Sequence, residues 1–230
     1  MILAEKIISF HNTLEFTGEL PDGVKIMNPA RDNPAVKGII HEFYTRFYSD
    51  NNPRQLILGI NPGRFGAGAT GIPFTDTRRL NEKCGISFTD FRTHEPSSEF
   101  VYEMIDGFGG VREFYNKFLV SAVCPLGFTK VGSKGRPVNY NYYDSREIMT
   151  AVYPFIVETL KKQCAFGIDT TVCFCLGTGK NFDFLEKLNR EQQFFCRIIP
   201  LEHPRFVMQY RARKKQEYVR KYVEVLAGNW

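Results

Sequence analysis

At 230 residues the chain has room for one sizeable core and is short for two. A hydrophobic fraction of 43% with 12 prolines excludes a disordered chain, and a formal charge of +5 permits a polyanionic ligand without requiring one. Six cysteines without a Cys-x-x-Cys pair argue against zinc and iron–sulfur sites, and no apolar run reaches the length of a membrane span. Residues 1–12 have helical apolar spacing, and acidic Glu5 with no small-residue cleavage pattern argues against a signal peptide. A reducing cytoplasm is the expected compartment, with the cysteines as ordinary buried thiols. A second helix is expected over 33–50, with Ile39, Ile40, Phe43 and Phe47 on one side.

Four short apolar runs then read as buried parallel strands, at 55–60, 118–124, 170–176 and 194–200. They are rich in Val, Ile, Phe and Cys, lack simple alternation, and are bounded by Gly or Pro. Helical stretches lie at 145–163, 182–192 and 216–226. The alternation predicts an α/β fold, a three-layer α/β/α arrangement around a four-stranded parallel sheet. A single domain over 1–230 is expected, with residues 1–50 as a helical N-terminal extension packed on it. Ligands of such sheets bind beyond the carboxyl ends of the strands. The loops at 61–76, 125–143, 177–181 and 201–213 should therefore converge on one edge.

The first of these loops is the most informative. The strand QLILGI enters Asn61-Pro62-Gly63, a glycine-rich stretch, and then Pro73-Phe74. A carboxamide, unobstructed backbone amides and an aromatic face around one cavity suit a flat ring with a water held against it. Gly66-x-Gly68-x-x-Gly71 spells a dinucleotide fingerprint, but it begins about six residues after the strand, and Ile72-Pro73 follows instead of a helix start. Gly177-Thr178-Gly179-Lys180 resembles the tail of a phosphate-binding loop. Phe174 stands where the first glycine of a P-loop belongs, so the turn offers at most a grip on one phosphate, or is a plain strand-to-helix turn. His203-Pro204 follows the fourth strand. Downstream, Arg205, Arg211, Arg213, Lys214 and Lys215 interleave with Phe206, Val207, Met208 and Tyr210, a pattern fitting either a nucleic-acid contact or a solvated basic helix.

Together these residues resemble the uracil-DNA glycosylase superfamily, in particular a bacterial second subgroup of its single-strand-selective monofunctional branch. GINPGRFGAGATGIPF is similar to the first motif of that branch throughout, and LEHPRFV carries the His-Pro of the second. FLVSAVCPLGF and CLGTGKNFDFL resemble its second and third core strands, so the likeness spans about 40–225. The resemblance implies excision of a damaged base from DNA in base-excision repair, by hydrolysis of the N-glycosidic bond without metal or organic cofactor, by a monomer. It implies Asn61 as the residue that orients the hydrolytic water and His203 as hydrogen-bond donor to the departing base. The backbone near Ile60 and Asn61 would supply a second donor, and Phe74 would stack on the extruded ring. Gly63 and Gly71 would allow close approach to base and sugar. The turn with Gly177, Gly179 and Lys180 would clamp the DNA backbone. The loop from Pro204 and Arg205 to Arg211 and Arg213 would fill the gap left in the duplex.

One position departs from the family pattern. Its base-reading Asn falls on Ala122, leaving Ser121, Asn139 or Asn141 as substitutes, or a roomier and less selective pocket that tolerates xanthine or other damaged bases. The same departure keeps open a catalytically silent nucleic-acid-binding module of this fold. A nucleotide-dependent oxidoreductase built on Gly66–Gly71 is the remaining alternative.

Overall fold

The computed structural model describes residues 1–228; the last two residues of the expected 1–230 domain lie outside the described residues. Among the described residues there are seven strands: β1 (Val24–Met27), β2 (Gln55–Gly59), β3 (Phe118–Ala122), β4 (Gly127–Val131), β5 (Pro137–Tyr140), β6 (Asp169–Leu176) and β7 (Arg197–Leu201). Four of them form the expected parallel sheet in the order β3-β2-β6-β7, flanked by helices. The connection from β2 runs outward to β3, while that from β6 runs the opposite way to β7. The carboxyl ends of β2 and β6 therefore bound a topological switch point, where open α/β sheets bind ligands.

The strands are apolar because both faces are covered. Ile57, Val120, Leu176 and Leu201, one from each strand, meet Val101 and Met104 of the helix Pro96–Gly107 and Tyr222 and Leu226 of the helix Lys215–Leu226. Leu56 and Leu58 alternate with Ile57 and are fully buried as well. The N-terminal helices belong to this same continuous core. Leu3, Ala4 and Ile7 are buried in it, and the first free amides of the helix Leu3–Thr13 donate to the carbonyls of Asp50 and Tyr48 at 2.9 Å each. The second helix runs Pro34–Phe47, opened by Asn33, whose side chain accepts from Ala35 N, with Pro34 in the first turn.

Three features differ from the sequence expectation. First, the 1–50 region is not wholly helical: β1 pairs antiparallel with β4, and β4 with β5, in a separate three-stranded sheet. The stretch 125–143, expected as a loop, is mostly this hairpin, closed by Gly132 N donating to Arg136 O and by Gly135 at φ 69°. Second, residues 77–117 carry the helices Thr77–Glu82, Pro96–Gly107 and Val111–Lys117. Third, the segment after His203 is a helix, Pro204–Tyr210, followed by one 3-10 turn at Ala212–Lys214. Among the described residues no helix is long and apolar enough to cross a membrane.

Candidate active site

Beyond the carboxyl end of β2 lies a cavity of about 320 Å³, at the lower end of small-molecule sites. The first loop contributes Ile60, Asn61, Gly63 and Phe74, the end of β3 adds Ser121 and Ala122, and β5 with its continuation adds Asn139 and Asn141. His203 and Arg205 close one side, and Glu95 at the mouth of the helix Pro96–Gly107 also lines it. Of the residues expected from sequence, Ile60, Asn61, Gly63, Phe74, Ser121, Asn139, His203 and Arg205 thus meet around one space.

Asn61 is held by two backbone groups. Its Nδ2 donates to Tyr140 O at 3.3 Å, and its Oδ1 accepts from Tyr142 N at 3.2 Å. Each bond uses half the capacity of its atom, so the carboxamide has a fixed orientation and retains one lone pair and one N–H for a water. Tyr142 is fully buried, and its hydroxyl donates to Asn181 Oδ1 at 2.8 Å. The amide of Asn181 in turn donates to Leu176 O at 3.1 Å. A continuous chain of hydrogen bonds therefore runs from the end of β6 to Asn61.

His203 caps its own helix. Its Nδ1 accepts from Arg205 N at 3.1 Å, so Nδ1 carries no proton and Nε2 must be the N–H. Surrounding protein strips water from the ring and, helped by the Arg205 guanidinium, pushes its pKa down to about 3. At neutral pH His203 is thus an uncharged imidazole whose only proton is on Nε2. Such a group can donate to a developing anion without carrying a full charge.

Phe74 adopts φ 52°, in the left-handed region that non-glycine residues seldom occupy. The neighbouring turn holds it there: Gly71 at φ 75° ends a helical turn, and Thr70 Oγ1 donates to Thr75 O at 2.6 Å. The ring lies over Gly59, where an added Cβ would stand 3.3 Å from Phe74 Cζ. Its centroid is 5.7 Å from that of His203, with the planes tilted by 56°.

Asn139 pins the first loop by accepting from Arg64 N at 3.0 Å through Oδ1, and its Nδ2 lies 3.5 Å from where a Cβ on Gly63 would stand. Asn141 is engaged locally, donating through its backbone N and Nδ2 to the Asp144 carboxylate. Gly71 does not reach the cavity. It is buried beneath the helix Pro34–Phe47, where an added Cβ would lie 2.7 Å from Ile40 Cδ1, so its bare Cα serves helix packing and not approach to the sugar. Pro204 is likewise buried, in the first turn of its helix.

Gly177, Gly179 and Lys180 lie outside the cavity, at the turn into the helix Lys180–Gln192. Gly177 has φ 125° and donates to Leu201 O at 2.7 Å, while Gly179 and Lys180 are exposed. Arg211 and Arg213 are also exposed. Arg211 stacks over Phe206, which with Tyr210 forms an outward aromatic pair 5.6 Å apart.

Glu95 was not foreseen from the sequence, although a Glu-Pro-Ser-Ser helix start with an acidic residue in place of a good capping side chain was a signal. Its Oε2 is buried without a hydrogen-bond partner. Burial, with Asp76 adding to it and Arg205 opposing, raises its pKa to about 7.

The family model of the uracil DNA glycosylase superfamily matches residues 45–227. Among solved structures, SMUG2 of Pedobacter heparinus is 51% identical, with a TM-score of 0.97, and the match covers 99% of this chain and 98% of that one. None of the curated proteins matches the sequence. The chain belongs to the uracil DNA glycosylase superfamily and is a DNA glycosylase, as the two motifs led one to expect.

Proposed function

We propose that the chain removes uracil, and other deaminated bases as well, from DNA by monofunctional hydrolysis in base-excision repair. The observation that carries this reading is the neutral His203, with its proton on Nε2, in the same cavity as the doubly anchored Asn61 carboxamide. A base at the centre of a duplex is out of reach of such a cavity, so the nucleotide must be extruded. Phe74 stacks on the extruded ring. As the glycosidic bond lengthens, the base accumulates negative charge and the sugar becomes oxocarbenium-like. His203 donates through Nε2–H to a base oxygen and stabilises the leaving anion, with the backbone near Ile60 and Asn61 as a second donor. Asn61 directs water at C1′; the water oxygen forms the new bond, the glycosidic bond breaks, the base departs with its electron pair, and the proton lost by the water goes through solvent to the base anion.

Ala122 supports a broad substrate range, because the cavity wall there offers no carboxamide to reject competitors. Arg205, Arg211 and Arg213 bind flanking phosphates, and the exposed Phe206–Tyr210 pair fills the gap in the stack. Gly177, Gly179 and Lys180 present an open turn that suits one further phosphate. The cysteines form no disulfide among the described residues, which fits a reducing compartment such as the cytoplasm.

The test uses oligonucleotides carrying one uracil, xanthine or hypoxanthine, treated with enzyme and then alkali. Wild type should release at least uracil, and Asn61→Ala and His203→Ala should each slow release by about 100- to 1000-fold. Unchanged release in both variants would overturn these roles. DNA binding without release by wild type would establish the silent module instead.

A further inference from the structure

Three ionisable side chains line the cavity, His203, Arg205 and Glu95, and the glycosylase reaction gives a role to the first two and none to Glu95. Glu95 stands at the N-cap of the helix Pro96–Gly107, yet its side chain caps no amide of that helix. Instead the carboxyl turns across the cavity wall to Gly66, where an added Cβ would stand 2.1 Å from Oε2 and 2.4 Å from Cδ. Gly66, first glycine of the apparent dinucleotide fingerprint, is the seat of this carboxyl group. Its backbone anchors it too: Glu95 N donates to Asp76 Oδ2 at 3.0 Å. Oε2 is sealed against Gly66 without a protein partner, and Glu95 is among the residues lining the space that an extruded base must enter.

We propose that Glu95 reads the hydrogen-bonding edge of the extruded base, in the role vacated at Ala122. The inference rests on the glycosylase reading of the cavity. Uracil, hypoxanthine and xanthine differ in ring size but share one edge, a carbonyl beside a ring N–H. A carboxylic acid presents the complementary pair, an O–H donor beside a carbonyl acceptor. Turned off its seat on Gly66 toward the base, it forms two bonds with that edge, as a carboxamide would. A carboxylate is an acceptor only: it takes the ring N–H but meets the base carbonyl oxygen with like charge.

The surroundings favour the acid form. Asp76, itself fully buried and paired with Arg79 and near His94, repels a second negative charge. Arg205, from the helix Pro204–Tyr210, pulls the other way, and His203, which lines the same cavity, is uncharged. Base tolerance follows from this chemistry, because the shared edge is read and the rest of the ring is not.

The experiment compares wild type, Glu95→Gln and Glu95→Ala on uracil DNA between about pH 5.5 and pH 8.5, with N3-methyluracil DNA as a second substrate. The wild-type kcat/KM should fall as the pH rises past about 7. Glu95→Gln should keep the low-pH activity within a few-fold and lose that pH dependence. Glu95→Ala should lose about 10- to 100-fold on uracil, the usual worth of a two-bond base contact. It should also narrow the preference for uracil over its N-methylated form. Equal loss in the Gln and Ala variants, or one pH profile shared by all three proteins, would overturn the proposal while wild-type release of uracil left the glycosylase reading intact. Absence of wild-type release would remove both.

Discussion

The rings of Phe74 and His203 face one cavity from opposite ends of the chain, 5.7 Å apart and tilted by 56°. One is delivered by the loop after β2 and the other by the turn after β7, on strands separated in the sheet by β6. A base inserted between loop and turn meets an aromatic face and a hydrogen-bond donor at once.

Removal of the aromatic face should be costly to catalysis and cheap to folding. Phe74 is only half-buried, and its backbone at φ 52° carries a strain of about 1–2 kcal/mol. Phe74→Ala should reduce kcat/KM on uracil DNA by about 10- to 100-fold, as expected for loss of one base stack. Thermal unfolding should show a small shift in comparison. A melting temperature that collapses while kcat/KM in the surviving enzyme stays normal would contradict this division.

The protonation state of His203 can be read directly. With a pKa near 3 and Nδ1 accepting from Arg205 N, nitrogen-15 spectra should show one neutral tautomer, protonated on Nε2, throughout the neutral range. Its signal should remain unchanged down to about pH 4. Titration near the ordinary histidine value would mean that the imidazole works as a cation.

Glu95 should also leave a mark on stability. Its folded-state pKa of about 7 lies above the ordinary glutamate value of 4.5, so the folded protein holds this proton more tightly than the unfolded chain does. Stability from this group is complete below pH 4.5 and is lost as the pH rises through 7. The full loss is on the order of 3 kcal/mol. Glu95→Gln does not titrate, so it should melt higher than wild type above pH 7, and the gap should shrink toward pH 4.5. A constant gap across this range would show that the carboxyl is not held in its acid form.

The chain of bonds behind Asn61 predicts an effect from outside the cavity. Tyr142→Phe deprives Asn181 Oδ1 of its donor in a fully buried site and should cost about 1–3 kcal/mol of stability. Because Tyr142 N also anchors Asn61 Oδ1, kcat should fall more than KM rises. A variant that is destabilised yet has unchanged kcat would show that the Asn61 anchor does not depend on the Tyr142 side chain.

Much of this was legible beforehand because it rests on local chemistry. QLILG is apolar on both faces and could only be an interior strand, and Asn61 and His203 stand just after strands where sheet topology gathers ligand groups. The runs at 118–124 and 194–200 were shifted at their ends. Val123 and Cys124 still donate to Gly59 O and Ile60 O after the formal end of β3. At 194–200, the side chain of Asn189 satisfies Phe195 and so delays the start of β7 to Arg197. What stayed hidden depended on distant pairing. VKIM is too short to declare itself a strand until GFTKV lies beside it. Glu95 has no motif around it; only the fold brings it over Gly66 and beside Asp76. The packing of Gly71 was hidden for the same reason, since nothing nearby in sequence announces Ile40 above it.

The two bonds of Asn61 have a practical meaning for anyone wishing to capture the enzyme on its substrate. Tyr140 ends β5 of the small antiparallel sheet, so the residue proposed to steer water also bolts that sheet to the rim of the large one. Erasing Asn61 would loosen the exposed hairpin that carries Lys130, Lys134 and Arg136, cations suited to the phosphates of a bound strand. An enzyme silenced at Asn61 would thus trap DNA less faithfully than one silenced at His203, whose side-chain hydrogen bond goes to the start of its own helix. For crystals of an uncleaved complex, the histidine is the better residue to give up.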